Sequence, residues 1–429
     1  MYLKEINEKA SNKIWDIKKK AWRGVEVVFA GAMYVWGWIF PDPIIVKGPG
    51  SVKRLPEIIL KKGYNKVLVV TGPHILKLGL LDDLFKAMDE AGLGYAIHKQ
   101  MQANPSIEDV ETAKEIYDKE GCQAIIALGG GSPMDCAKGV MARVARPDRP
   151  VKKMKGVFMV TLPSKGMKGY MPPPLFAVPT TAGTGSETTI ASVITDNASK
   201  DKFPIMDPLI RAKYAVLDPK LTTGLPGKIT STTGMDALTH AVEGYTNIWY
   251  NDFKFDELGK EAVRLVFNNL ETAYNNPEDL VARENMLVAA YDAGMCFTRG
   301  GVGYVHGIGH RLGGLYHVPH GLAMAVILPH VFSNKFLGPY VTDELAELAD
   351  AVGITGINNK AKAEAFVQEI REMNKRMNIP NGFTCIKEED IPLIAERCIA
   401  EVNPTYPVKH IFSKKEIEKF IKEELMITE

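Results

Sequence analysis

No CxxC pair occurs in this 429-residue chain. Its five cysteines, Cys122, Cys136, Cys296, Cys385 and Cys398, are odd in number and widely spread. That distribution argues against a disulfide framework and fits a reducing cytoplasm. Neither sign of charge dominates. The net charge is +1, so no electrostatic argument favours a nucleic-acid partner or an acidic surface. No apolar run is long enough to span a bilayer. The best candidate, "KKKAWRGVEVVFAGAMYVWGWIF" (Lys18 to Phe40), holds about fourteen mostly apolar residues, where a spanning helix needs roughly 20. A signal peptide would begin with its basic region and end in small residues, not in "WGWIFPDP". Neither a membrane partner nor export is expected. Internal repeats and low-complexity tracts are also missing.

The chain is too long for one small core, which predicts two domains. With 46% hydrophobic and 24% charged residues, the composition is that of an ordinary globular protein. Residues 1–41 read as an added arm, a charged helical stretch followed by a Trp-rich one. From Asp42 the texture changes to short strands alternating with helices. "KVLVV" (66–70), "AIIAL" (124–128) and "LFAV" (175–178) read as buried parallel strands. "SIEDVETAKEIYDKEG" reads as a helix, with Ser106 and Asp109 set for a capping box and Gly121 suited to its end. Strand, helix, strand in this order implies right-handed βαβ units. After about Gly224 the periodicity is helical. The terminal "SKKEIEKFIKEEL" carries its own capping box, Ser413 with Glu416. The expected fold is therefore α/β: a Rossmann-like parallel-sheet domain over 42–224, then an all-helical domain over 225–429.

Two loops in the first domain invite a ligand. "AIIALGGGSPMDCAK" sets three glycines directly after a strand. Ser132 is then placed to cap a helix, with Pro133 at its first position and Asp135 in its first turn. Glycine lets backbone N–H groups approach closely, and a helix N-terminus favours an anion such as a pyrophosphate. The pattern is not the GxGxxG fingerprint, and a plain tight turn would look similar. "AVPTTAGTGSETT" (177–189) repeats the arrangement, offering Thr180, Thr181, Thr184 and Ser186. Two such loops, each leaving the carboxyl end of a parallel strand, point to one crevice.

Histidine is concentrated in one place. Four of the nine, His306, His310, His317 and His320, lie in "HGIGHRLGGLYHVPHG". Asp236 and His240, in "GMDALTH", stand at i and i+4 and share a helix face, as do His306 and His310. One straight helix would separate His306 from His320 by roughly 21 Å at ~1.5 Å per residue, so the chain must turn between them. Gly313, Gly314 and Pro319 offer the means. With a turn, a site of three histidines and one carboxylate becomes feasible. Nitrogen and oxygen ligands suit Fe(II), Zn(II), Mn(II) or Co(II). Spacing alone does not say which of the four clustered histidines bind.

"GGGSPMDCAK", "AVPTTAGTGSETT", "GMDALTHAVEGY" and "GYVHGIGHRLGGLYHVPHG" together resemble the iron-containing (group III) alcohol dehydrogenases, over about residues 42–429. The resemblance implies a dinucleotide-binding α/β domain and a helical metal domain. It places the metal ligands, for Fe(II) above all, on Asp236, His240, His306 and His320. His310 matches a histidine near the substrate that is not a ligand, His317 lies where the family varies, and His330 is read as structural. The dinucleotide site would be lined by Asn104, Gly130, Gly131, Ser132, Thr180, Thr181, Thr184 and Lys202, and Phe297 would lie near the substrate. The implied activity is hydride transfer between NAD(P) and a small primary alcohol or aldehyde, the ion acting as a Lewis acid. A homo-oligomer is expected.

Three departures bear on that expectation. Gly72, in "VVTGPH", stands where NAD-preferring members carry an Asp, which suggests a preference for NADP(H) over NAD(H). Arg299 stands where an Asn is usual, and the 41-residue arm is longer than expected. Glycerol dehydrogenases and dehydroquinate synthases share the layout, but no basic cluster for a phosphorylated, carboxylated substrate is evident. A metal-binding assembly protein without activity would leave the two dinucleotide loops unexplained.

Overall fold

Strands built of aliphatic runs form the centre of the N-terminal half because helices cover both of their faces. The computed structural model describes residues 15–28, 31, 40–101, 104–161, 171–199, 201–248 and 253–427. Its strands are β1 (Ile44–Lys47), β2 (Lys66–Thr71), β3 (Gly94–His98), β4 (Ala124–Gly129), β5 (Gly156–Val157), β6 (Leu175–Pro179), β7 (Ala191–Asp196), β8 (Asp201–Met206) and β9 (Tyr214–Leu217). Six form one parallel sheet in the order β1-β9-β6-β4-β2-β3. The strands β4, β6 and β9 are buried along their whole length, while β1 at one edge buries only Val46. The aliphatic runs that read as strands are strands.

A second, three-stranded sheet, β5-β8-β7, was not foreseen. Its antiparallel pair β7 and β8 alternates buried with exposed positions, and Pro204 interrupts β8, so neither has the all-apolar texture of the main strands.

The helices are α1 (Leu55–Lys61), α2 (Pro73–Lys77), α3 (Asp82–Ala91), α4 (Ile107–Lys119), α5 (Gly131–Ala145), α6 (Gly227–Thr246), α7 (Phe253–Asn275), α8 (Leu280–Gly300), α9 (Tyr304–Tyr316), α10 (His320–Val331), α11 (Thr342–Ala351), α12 (Asn359–Arg376), α13 (Ile391–Val402) and α14 (Lys414–Phe420). Both capping boxes form, at Ser106 with Asp109 and at Ser413 with Glu416. Among the described residues no named strand follows β9, and the C-terminal half is helical. Its centre is α6, which packs against α7, α8 and α10.

Two local expectations are corrected. Ser132 does not cap α5. Gly130 does, in extended backbone without a side-chain bond, because the helix already begins at Gly131. Asp135 accordingly lies deeper than the first turn. Gly313 and Gly314 do not make the turn between the histidines either, since α9 runs straight through them. His317 makes it, in the left-handed conformation (φ 56°), with Pro319 opening α10.

The arm is described in part. Residues 15–28 are helical, with Trp15 and Trp22 edge to face at 5.5 Å and packed on the helical core. Most of the Trp-rich run lies outside the described residues. No described helix is long and apolar enough to cross a membrane.

Candidate metal and dinucleotide site

Helix α6 is buried on almost every side from Gly234 onward, so Asp236 and His240 project into protein, not solvent. The start of α10 presses on the backbone of α6. A Cβ on Gly321 would come within 2.6 Å of the Thr232 carbonyl oxygen, so only glycine allows this approach. That contact carries His320 to Asp236, with His320 Nε2 3.3 Å from Asp236 Oδ1. Helix α9 supplies His306, whose Nε2 lies 3.1 Å from His240 Nε2. Ligand atoms of Asp236, His240 and His306 all lie within 4.8 Å of one another. His320, with its side chain 44% exposed, closes the group on the open side.

The cluster has the donor chemistry to hold a cation. Burial pushes His240 down to about 3, and burial with the neighbouring His320 and His310 holds His306 well below its ordinary value. Burial favours a neutral Asp236, yet the surrounding histidines hold its carboxyl well below the usual carboxylate range. Glu243 Oε2 lies 2.5 Å from His306 Nδ1, and its Oε1 accepts from the Val305 N–H at 2.7 Å; burial pushes Glu243 up to about 7, and its bonds to backbone N–H groups oppose that. With the His306 proton on Nδ1, its Nε2 would turn a lone pair towards His240. Asp236 Oδ1 is buried, with the His320 Nε2 contact at 3.3 Å beside it. Two imidazole nitrogens at 3.1 Å, with a buried carboxylate oxygen beside them, converge as ligands of one cation would. The donor set fits a divalent ion of the Fe(II), Zn(II), Mn(II) or Co(II) kind.

The glycine and threonine loops meet. A Cβ on Gly130 would lie 3.4 Å from Thr181 Oγ1, and one on Gly131 would lie 3.4 Å from Thr184 Cγ2. Thr181 Oγ1 is buried and unpartnered, and the Thr180 N–H bonds the Gly129 carbonyl at 3.0 Å. Ser132 Oγ accepts from the Asn104 N–H at 3.2 Å, and Asn104 holds a positive φ of 61°. Beside them is a cavity of about 450 Å³, bordered by Gly72, His74, Gln100, Met101, Gly130 and Ser132 among others. Lys202, on β8, is close enough for its charge to lower His320, which ties the second sheet to the metal side of the cleft.

The remaining expected residues fall around the histidines. Phe297 stacks on His240 at 4.1 Å. His310 stacks on His320 at 5.4 Å and reaches Glu401 through Nδ1 at 2.5 Å. His330 bonds the Asn381 carbonyl at 2.9 Å, as a structural histidine would. Arg299 is buried with its guanidinium 4.8 Å from the Phe255 ring centre. Sequence reasoning missed Glu243 and Glu401. Glu243 carried a signal, three residues after His240 on the same helix. Glu401 carried none, being far from His310 in the chain.

Comparison with known proteins settles the family. The iron-containing alcohol dehydrogenase profile matches residues 42–219, and the Fe-containing alcohol dehydrogenase C-terminal profile matches residues 230–425. The chain belongs to the iron-containing alcohol dehydrogenases. It is 36% identical over 367 residues to the NAD-dependent methanol dehydrogenase of Bacillus methanolicus, covering 85% of this chain and 93% of that one. The 1,3-propanediol dehydrogenase of Klebsiella pneumoniae is 36% identical over 363 residues, 83% of this chain and 90% of its own. A solved 1,3-propanediol oxidoreductase superposes with a TM-score of 0.82 at 32% identity, covering 90% of this chain and 99% of that one. This iron-containing alcohol dehydrogenase is thus a metal-dependent, NAD(P)-linked oxidoreductase of small alcohols and aldehydes. Its first 41 residues lie outside the matched region.

Proposed function

We propose that Asp236, His240, His306 and His320 hold one divalent ion, Fe(II) in the native enzyme. A nicotinamide dinucleotide lies along Gly130–Ser132 and Thr180–Thr184, with Asn104 and Lys202 at its borders, and a primary alcohol or aldehyde reacts between His310 and Phe297. The supporting observation is the pair of imidazole nitrogens 3.1 Å apart. When bound, the ion supplies a Lewis acid for the substrate oxygen and the nicotinamide supplies the hydride carrier. The protein's part is positioning. Glu243 fixes the tautomer of His306, and Phe297 covers His240 and keeps water from it. His310 takes the hydroxyl proton during oxidation and returns it during reduction. The glycines let backbone N–H groups of the α5 start approach the pyrophosphate. The break between domains falls near Gly224, between β9 and α6. Free cysteines, with Cys385 exposed, support a cytoplasmic setting.

The expected preference for NADP(H) rests on Gly72 alone. The methanol dehydrogenase relative is named for NAD, and among the described residues bordering the cavity there is no lysine or arginine to attract a 2′-phosphate. Gly72 has open space where a side chain would project, so nothing repels that phosphate either. Use of both dinucleotides follows, with any bias towards NADP(H) small. A panel of primary alcohols and aldehydes, run with each cofactor on Fe(II)-loaded enzyme and read as reduced-nicotinamide absorbance, tests the whole reading. Gly72→Asp should swing the kcat/KM ratio towards NAD by about tenfold, the factor that 1.4 kcal/mol carries. An unchanged ratio would mean that the 2′ position is read elsewhere, and no turnover with any substrate would sink the reading.

The arm is proposed as an association element of a homo-oligomer. Its described helix leaves Ile17, Val27 and Val28 at least half exposed, an apolar surface that a second subunit would cover. Deleting residues 1–40 should shift the mass seen by light scattering while kcat/KM per active site stays within about twofold, the scatter of one small free-energy increment. Unchanged mass, or recovery of the intact protein chiefly in membranes, would contradict this.

A further inference from the structure

We infer that Glu401 is a positioning residue for the reaction: it fixes the tautomer of His310 so that Nε2 faces the substrate cleft as a proton acceptor. The inference rests on the proposed relay role of His310. Glu401 stands at the end of α13 and is held from three sides. Its Oε1 accepts from His310 Nδ1 at 2.5 Å and from the Tyr406 hydroxyl at 2.9 Å, and its Oε2 accepts from Arg311 Nη2. The carboxylate side chain is 19% exposed, so water competes little for these bonds.

A carboxylate has acceptors only, so the proton of a neutral His310 must sit on Nδ1. Nε2 is then a lone pair on the side of the ring away from α13. The ring lies flat against His320 at 5.4 Å and edge-on to His306 at 5.6 Å, which fixes the direction in which that lone pair looks. The guanidinium of Arg311 opposes the charge of the carboxylate and holds its Oε2 in place. Sequence spacing gives no hint of this arrangement, because α13 is brought against α9 only by the packing of the helical half.

Glutamine at this position is the informative change. An amide keeps the shape but has one accepting oxygen where the carboxylate has two. If that oxygen faces Arg311, the NH2 faces His310, Nδ1 must accept, and the proton moves to Nε2. His310 then presents a donor where the oxidation needs an acceptor. Removing the partner that orients a metal-ligating histidine typically costs 10–100-fold, and a loss of the same order is expected for His310.

The test compares wild type, Glu401→Gln, His310→Ala and the double variant, all zinc-loaded. Metal per chain, the thermal midpoint and alcohol oxidation are measured for each. Nitrogen-15 spectra of labelled histidine report the tautomer, with the His310 signal assigned by its loss in His310→Ala. The expected result is a kcat lower by about 10–100-fold in Glu401→Gln, with KM for the dinucleotide and metal content unchanged. In the His310→Ala background the same substitution should cost nothing further, which a merely structural role would not produce. The His310 signal should be of the Nδ1–H type in wild type and invert in Glu401→Gln. A slow His310→Ala beside a wild-type Glu401→Gln, or equal costs in both backgrounds, overturns the role of Glu401 and leaves the relay standing. A His310→Ala enzyme with full activity removes the relay and this inference together. Should Glu401→Gln not fold, the wild-type spectrum decides alone: an Nε2–H signal for His310 overturns the inference.

Discussion

Replacing His320 with alanine should strip the enzyme of its metal and abolish turnover while leaving the fold intact. His320 is the exposed member of the proposed ligand set, so the substitution opens no cavity in the core. It removes one donor of four, and with it the charge-matched neighbour of Asp236. Three ligands remain, clustered within 4.8 Å, but the ion loses the ligand that closes the site. The measurement is metal per chain after dialysis, beside kcat and the thermal midpoint of the metal-free protein. A variant that keeps a stoichiometric ion and full activity would show that the ion is held elsewhere. His306→Ala is the harsher companion. It also deprives Oε2 of the buried Glu243 of its partner, so a lower midpoint is expected there in addition to metal loss, because a buried polar atom left unpaired is costly. The contrast between the two variants separates ligand loss from damage to the helical core.

Where the sequence was legible, the cause was local. Lys66–Thr71 and Ala124–Gly129 are buried on both sides, and a strand of that kind has to be apolar at nearly every position. Ser106 with Asp109 and Ser413 with Glu416 are contacts over three residues, settled within one helical turn. The i and i+4 spacing of Asp236 and His240 is of the same kind. What stayed hidden was decided by the path of the chain. Whether His317 or His320 faces Asp236 depends on where α9 stops. It stops at His317, a non-glycine residue in a left-handed conformation, not at the glycines. Glycine propensity favours a turn at Gly313 and Gly314, yet the helix runs through both. Glu401 meets His310 across the bundle, and no pattern within one element encodes that. Ser132 was read as a cap from its residue type. The first turn is occupied instead by backbone set against the threonine loop, so its hydroxyl is free to receive the Asn104 N–H.

Lys138 shows the same limit and gives the second large expected effect. By composition it is one more lysine on a helix, yet it is fully buried in α5. Its Nζ donates to the Ser186 carbonyl at 2.7 Å, the Ser186 hydroxyl at 3.1 Å, Thr189 Oγ1 at 2.7 Å and the Ala191 carbonyl at 2.9 Å. Burial pushes Lys138 down, and the nearby Asp135 and Glu187 oppose it. Burial pushes Asp135 up, and Lys138 opposes that. The ammonium therefore fastens the segment that follows the threonine loop, and it balances a buried carboxyl. Lys138→Met keeps the length but removes every donor at once. Removing a buried charge together with its four hydrogen bonds should cost about 3–5 kcal/mol, seen as a lower urea midpoint. Dinucleotide affinity, followed by quenching of protein fluorescence on titration with reduced cofactor, should weaken as well, because Thr180–Thr184 loses its anchor. The double variant Asp135→Asn, Lys138→Met removes the charge on both sides and should recover part of the lost stability, since an unpaired buried charge is worse than none. It should not recover affinity, because the lysine bonds to Ser186, Thr189 and Ala191 are still missing. A single variant as stable as wild type would mean that water reaches the pair. A double variant no better than the single one would mean that Lys138 acts through its hydrogen bonds alone, with no part played by the charge of Asp135.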